Sequence, residues 1–264
     1  ESTTGPIVPV GAAVINADID SSRTLYADTV YTLSGFIKVT NGATLTIQAG
    51  TRIVGDFETV GSALFITRGA RINAQGTALN PIVFTSERPV GARQAGDWGG
   101  LIIIGNATSN RSGTVQLEGT GTGPSNPAQI YSGGTDDYDN SGTLRFVIVK
   151  HTGFEVAPND ELNGITFNAV GSGTTLENVQ VYSTFDDGFE FFGGSVNARN
   201  LIALYVRDDA LDFTDGYSGT ITNALVIQWR TEGNHCIELD NVGSGRFNAA
   251  TPTTPVTRPV INNM

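Results

Sequence analysis

The sequence predicts an all-β chain wound as one solenoid, and three observations carry that expectation. The first is the shape of its apolar strings. "ATLTI", "PIVFT", "LIIIG" and "FVIVK" are short and β-branched, and no long helical periodicity interrupts them. The second is composition: 33 glycines in 264 residues call for many turns, and charged residues make up only 16%. The third is an internal repeat. From residue 176 the chain reads "LENVQVYSTFDDGFEFFGG", then "ARNLIALYVRDDALDFTDG", then "ITNALVIQWRTEGNHCIELDN". A period of about 22 residues is too short for a propeller blade and lacks a leucine-rich signature. It suits one coil of a parallel β-helix.

Taken in chain order, residues 1–24 read as an N-terminal lead-in or cap, and the solenoid is expected over 25–264. "LSGFIKVTNGATLTIQAGTRIVGD" and "SALFITRGARINAQGTALNPIVFTS" alternate short strands with Asn-Gly, Ala-Gly and Arg-Gly turns. "GDWGGLIIIGNA" supplies another inward row, with Trp98 covering a corner. Residues 111–142, rich in Gly, Ser and Asp, read as a long loop leaving the solenoid. The repeat then begins, with Asn178, Asn200 and Asn223 opening its three copies. The second strands align Asp187–Glu190, Asp209–Asp212 and His235–Glu238, and one coil earlier Asn163 and Thr166 hold the same places. Alternation turns Phe189, Leu211 and Ile237 inward, with Phe191, Phe213 and Leu239 as a companion row. Glu190, Asp212 and Glu238 then form an outward ladder.

The charge of −11 comes from 26 acids against 15 bases, of which only Lys38 and Lys150 are lysines. That balance excludes the basic footprint of a nucleic-acid or anionic-membrane binder. No apolar run of 18 residues is present to span a membrane as a helix. The single cysteine, Cys236, excludes an intrachain disulfide and reads as an inert, partly buried thiol. His151 and His235 are the only histidines and fall in different coils, which argues against a zinc site.

The acids are the candidate site. Asp186, Asp187 and Glu190 lie on one coil and Asp208, Asp209 and Asp212 on the next. Like charges one strand spacing apart, ~4.8 Å, repel unless something neutralises them. Calcium, which takes six to eight oxygens, is one expectation. Neutralisation by Arg207 and Arg230 at the corners, or plain solvation, is another, and a catalytic carboxylate pair is a third. "DDYDNSG", residues 136–142, opens like a calcium loop, but Ile148 stands where the closing bidentate acid should be. Asp137 and Asp139 are therefore either ligands helped by loop carbonyls or the side chains of an Asx-turn. A lyase would need a base beside the acids, and Lys150, Arg207 and Arg230 are the set that qualifies. Tyr182, Tyr205 and Trp229, near the ends of the first strands, would stack on sugar rings or pack a corner.

The motifs "GATLTIQAGTRIVGD", "RGARINAQGTALNPIVFTS", "GDWGGLIIIGNA", "DNSGTLRFVIVKHTG", "NGITFNAVGSGTTLENVQV", "DDGFEFFGGSVNARNLIA" and "GYSGTITNALV" run in one order from about residue 25 to 241. With them the chain resembles a group of secreted bacterial right-handed β-helix proteins with a pectate-lyase-like solenoid and no established activity. The resemblance implies an extracellular or cell-surface location and carries over no catalytic residue. Two departures stand out: "GNHCIE" replaces a usual "SNGIE", and the chain stops at "TRPVINNM", where relatives begin a further strand. The expected function is a secreted structural or adhesive module that assembles end to end with copies of itself. The alternative is a glycan-binding protein or a calcium-dependent polysaccharide lyase.

Overall fold

A computed structural model describes residues 8–111, 117–119, 133–158, 160–242 and 253–264. Among these residues there are strands and no helices, and all strand pairing but one hairpin is parallel. The strands stack in three rows. One row runs through Gly11–Ile15, Thr29–Leu33, Arg52–Gly55 and Ile82–Ser86. A second runs through Arg23–Leu25, Thr44–Ile47 and Arg71–Gln75. The nine-residue strand Gly142–Lys150 joins them: its first half pairs with Arg71–Gln75 and its second half with Ile82–Ser86. From there Thr175–Tyr182, Asn197–Leu204 and Thr220–Ile227 continue both rows as single bent strands. The third row is a separate sheet: Phe36–Val39, Ala63–Ile66, Gly100–Ile104, Ile165–Asn168, Phe189–Phe192, Leu211–Thr214 and Glu238–Leu239.

The last three bent strands turn at Asn178, Asn200 and Asn223, with φ of 55°, 57° and 62°, and Asn263, just after Val260–Asn262, has φ of 67°. This is the left-handed region that Asn tolerates better than most side chains. Their amides form a continuous ladder. Asn200 donates to Asn178, Asn223 to Asn200 and Asn263 to Asn223, each at 2.8 Å and across 22, 23 and 40 residues of sequence. Asparagine thus marks a bend within a strand rather than the start of a repeat. The unequal steps show that loops between rungs vary while the rungs stay in register.

The interior is filled by matched rows. Val147, Val179 and Leu201 stack in register, as do Val149, Val181 and Ala203. Phe167 and Phe191 stack with ring centroids 4.9 Å apart, and Phe213 follows at 5.2 Å. Burying each such ring contributes about 1.5–3 kcal/mol. Trp98 lies in this core rather than over a corner. It stacks on Phe84 and donates its indole N–H to the Lys150 carbonyl at 2.8 Å.

The start of the solenoid needs correction. Parallel pairing begins at Gly11, inside the stretch read as a cap. Leu239 continues the inward row in register with Phe213, but it and Ile237 are 53% and 36% exposed because no further described strand covers the last coil. The outer face of the third row is partly covered. Ala63, Phe65, Ile102 and Ile104 form a second apolar cluster with Leu117 and Leu162, backed by Phe36 and Val156. The unbroken apolar strings "ALFI" and "LIII" are the signature of strands buried on both faces. Leu117 comes from the 111–142 excursion, of which 112–116 and 120–132 fall outside the described residues. Leu162 follows the antiparallel hairpin Glu155–Ala157 with Asp160–Glu161.

Candidate acidic corner

The corner between the bent strands and the third row carries the acids. Three residues in successive coils share one task there. The Asn163 side-chain oxygen accepts the Asp187 amide at 3.1 Å, Asp187 accepts the Asp209 amide at 2.9 Å, and Asp209 accepts the His235 amide at 2.6 Å. Asp187 and Asp209 are therefore part of the solenoid's own bonding, at 8% and 1% exposure. Gly188 and Ala210, the next residues, are pressed against neighbouring backbone and leave room only for small side chains.

Beside this row stands Thr166, Glu190, Asp212 and Glu238, in register across four coils. The ladder faces out of the solenoid as the sequence predicts, but Glu190 is only 5% exposed. It receives a bond from the Asn163 amide and lies against the carboxyl of Glu118. Glu118 is exposed as a residue, yet burial of its carboxyl is the first cause that raises its pKa. Sequence reasoning missed Glu118 because it sits in the Gly- and Ser-rich excursion. Leu117, a lone large apolar residue there, is the signal that this piece docks.

Burial, then neighbouring carboxylates, push the corner's acids up. Asp186 is raised to about 8 by burial first and then by Glu118, Glu161, Asp208 and Asp209. Asp212 is raised to about 8 by burial and then by Glu238, Asp240 and Asp209. Asp187 and Glu190 are held well above the usual carboxylate range for the same reasons. Arg207 does not neutralise the row. It pairs with Glu232 at 3.3 Å and lies over the Phe185 ring. Arg230 is exposed. Lys150 belongs to a different groove, beside Arg93 and His151, so the three bases of a lyase constellation are not gathered at the acids.

The oxygens converge. Asp186, Asp187 and Asp208 have ligating atoms within 4.8 Å of one another, and so do Asp187, Glu190 and Asp212. Asp209, His235 and Glu238 form a third set, though Asp209 already bonds the His235 imidazole at 2.9 Å. One buried oxygen, Asp212 Oδ1, has no hydrogen-bond partner. Two all-oxygen sets, with Asp186 and Asp208 half-exposed to admit water, fit a hard cation better than a thiophilic metal.

Asp137 and Asp139 lie elsewhere. Asp137 accepts the Thr108 amide at 2.8 Å, and Asp139 accepts from Asn106 and Ser141 at 3.2 and 3.3 Å. Ser172 and Ser195 both donate to the Asp137 carbonyl. These bonds tie the turn to the earlier segment at Asn106–Thr108 and to two later ones at Ser172 and Ser195. Among the described residues neither belongs to a set of three converging ligands.

A parallel solenoid of this kind is shared by proteins of many activities, and a family match narrows it. The pectate-lyase like beta helix domain matches over residues 17–264. The chain belongs to that family. No curated protein and no solved structure gave a significant match. In this pectate-lyase-like β-helix the match includes the acidic corner and the asparagine ladder alike.

Proposed function

We propose that this pectate-lyase-like β-helix is an extracellular structural module whose acidic corner is closed by calcium. One observation carries the reading. Carboxylates from two successive coils converge within 4.8 Å around the buried Asp187, and Arg207 pairs with Glu232 rather than with them. A cation bridging Asp186, Asp187 and Asp208 would tie one coil to the next and remove the repulsion between them.

The test is thermal unfolding at pH 8 with calcium, with magnesium and with chelator. Calcium at a hundred times its Kd should stabilise by about 2.7 kcal/mol. Magnesium should give less, because it loses its water reluctantly. The paired substitution D186N/D208N should abolish the calcium shift. Identical melting in calcium and chelator overturns the reading. Light scattering in the same solutions reads end-to-end assembly, for which the exposed Ile237 and Leu239 of the last coil give support. A monomer in both solutions sinks assembly.

A further inference from the structure

The last coil brings an imidazole into the acidic corner. His235 stands where Asn163, Asp187 and Asp209 stand in earlier coils, and Glu238 continues the outward row after Asp212. The donor set there is mixed, whereas the two sets beside it are all oxygen. Asp209 is buried, and its Oδ1 both accepts the His235 amide at 2.6 Å and stands 2.9 Å from His235 Nδ1. Glu238 is in hydrogen-bond contact with the same carboxyl, the first cause that raises its pKa. Each of the three has a ligating atom within 4.8 Å of the other two. Ligands about 2.0–2.2 Å from one ion, at near right angles, stand ~2.9 Å apart. The imidazole and the carboxylate already have that spacing.

A hydrogen bond between His235 and Asp209 accounts for those two alone. It leaves Glu238 against a second carboxyl. Its register partner Asp212 keeps a buried oxygen, Oδ1, without a hydrogen-bond partner. Among the described residues, no lysine or arginine lies within 4.0 Å of Asp209, Asp212 or Glu238. The carboxyls at this end of the corner therefore lack a fixed positive partner. The His235 side chain is 59% exposed, so the set is open to solvent on one side.

We propose that Asp209, His235 and Glu238 bind a borderline divalent transition metal ion such as zinc. One imidazole and two carboxylates suit such an ion better than calcium or magnesium, which favour oxygen alone. Three protein ligands leave room for water on the metal, and the open side of His235 admits it. The ion takes the place of the proton between His235 and Asp209, so binding releases a proton. It also clips Glu238–Leu239, a two-residue strand with no described strand beyond it, to the coil before. Asp186 and Asp208 have no part in the set, so the site stands or falls independently of the calcium bridge proposed above.

The experiment is calorimetric titration of the untagged, metal-stripped protein with zinc chloride at neutral pH. Each chain should take up one zinc ion that excess calcium or magnesium does not displace. H235A should weaken that binding by about tenfold or more, and so should E238Q. Both side chains are exposed, so each variant should melt in chelator as the unsubstituted protein does. Should H235A melt early, E238Q carries the same test. C236S should bind zinc unchanged, although the exposed Cys236 is the rival ligand beside His235. D186N/D208N should lose the calcium response and keep the zinc. Absent zinc binding, displacement by calcium, or indifference to both H235A and E238Q overturns the proposal. Binding that C236S removes, or that D186N/D208N removes, also overturns it by moving the ion to the thiol or to the half-exposed aspartates.

Discussion

At Asp187 one side chain meets two demands. An oxygen accepts the Asp209 amide, while burial and the neighbouring Asp186 and Asp212 raise the carboxyl's pKa. The bonding demand is satisfied by any short acceptor, as Asn163 shows one coil earlier. D187N should therefore leave chelated protein as stable as before or more so, because it removes repulsion and keeps an acceptor. D187A should cost about 1–3 kcal/mol, because the Asp209 amide is left buried without a partner. Chemical denaturation in chelator separates the two. The alignment of Asn163 with Asp187 and Asp209 was legible in the sequence, and so was the outward direction of Glu190. That Asp187 bonds to backbone was not, since an acid in a turn reads the same whether its oxygen meets water, a cation or the next coil's amide. Arg207 was misassigned for a related reason: an exposed guanidinium has several acids in reach, and Glu232 is nearer.

At the scale of the strand, Phe146 occupies the bend where Asn178, Asn200 and Asn223 stand in later coils. Its φ is 48°, unusual for a bulky side chain. F146N should relieve that backbone and extend the ladder by one amide below Asn178, stabilising the protein by about 0.5–1 kcal/mol. A loss of stability on denaturant unfolding would show that the ring's packing matters more than the bend. Strand existence was readable from "FVIVK", "LENVQV" and "ARNLIAL", whose alternation is clear. The bend was not, because a left-handed residue leaves no mark on hydrophobic period. The second cluster under Leu117 and Leu162 was only partly legible. "LIII" announced a strand covered on both faces but not which distant segment covers it.

For the whole molecule, the raised acids set the direction of the pH response. Asp186 and Asp212 titrate near 8 when folded and at ordinary carboxylate values when unfolded. The unfolded chain therefore releases these protons first as pH rises. Their contribution is full below about pH 4 and is lost progressively towards pH 8. His151 acts oppositely: its pKa is lowered to about 4, so its contribution is lost as pH falls from about 6.5. Calcium-free protein should thus melt at a lower temperature at pH 8 than at pH 6, and calcium should erase or reverse that difference. Scanning calorimetry at the two pH values, with and without chelator, checks it. Unchanged melting between pH 6 and 8 in chelator would mean that the carboxyls are solvated and ordinary.

The nine-residue strand Gly142–Lys150 has a mechanical meaning. Ahead of it each coil meets the wall as two separate short strands, with a joint between them. Behind it the same span is one bent strand locked by asparagine amides. The solenoid is a rod of two stiffnesses, jointed towards Gly11 and girder-like towards Ile227, and the acidic corner and the row from Tyr182 to Trp229 are both mounted on the girder.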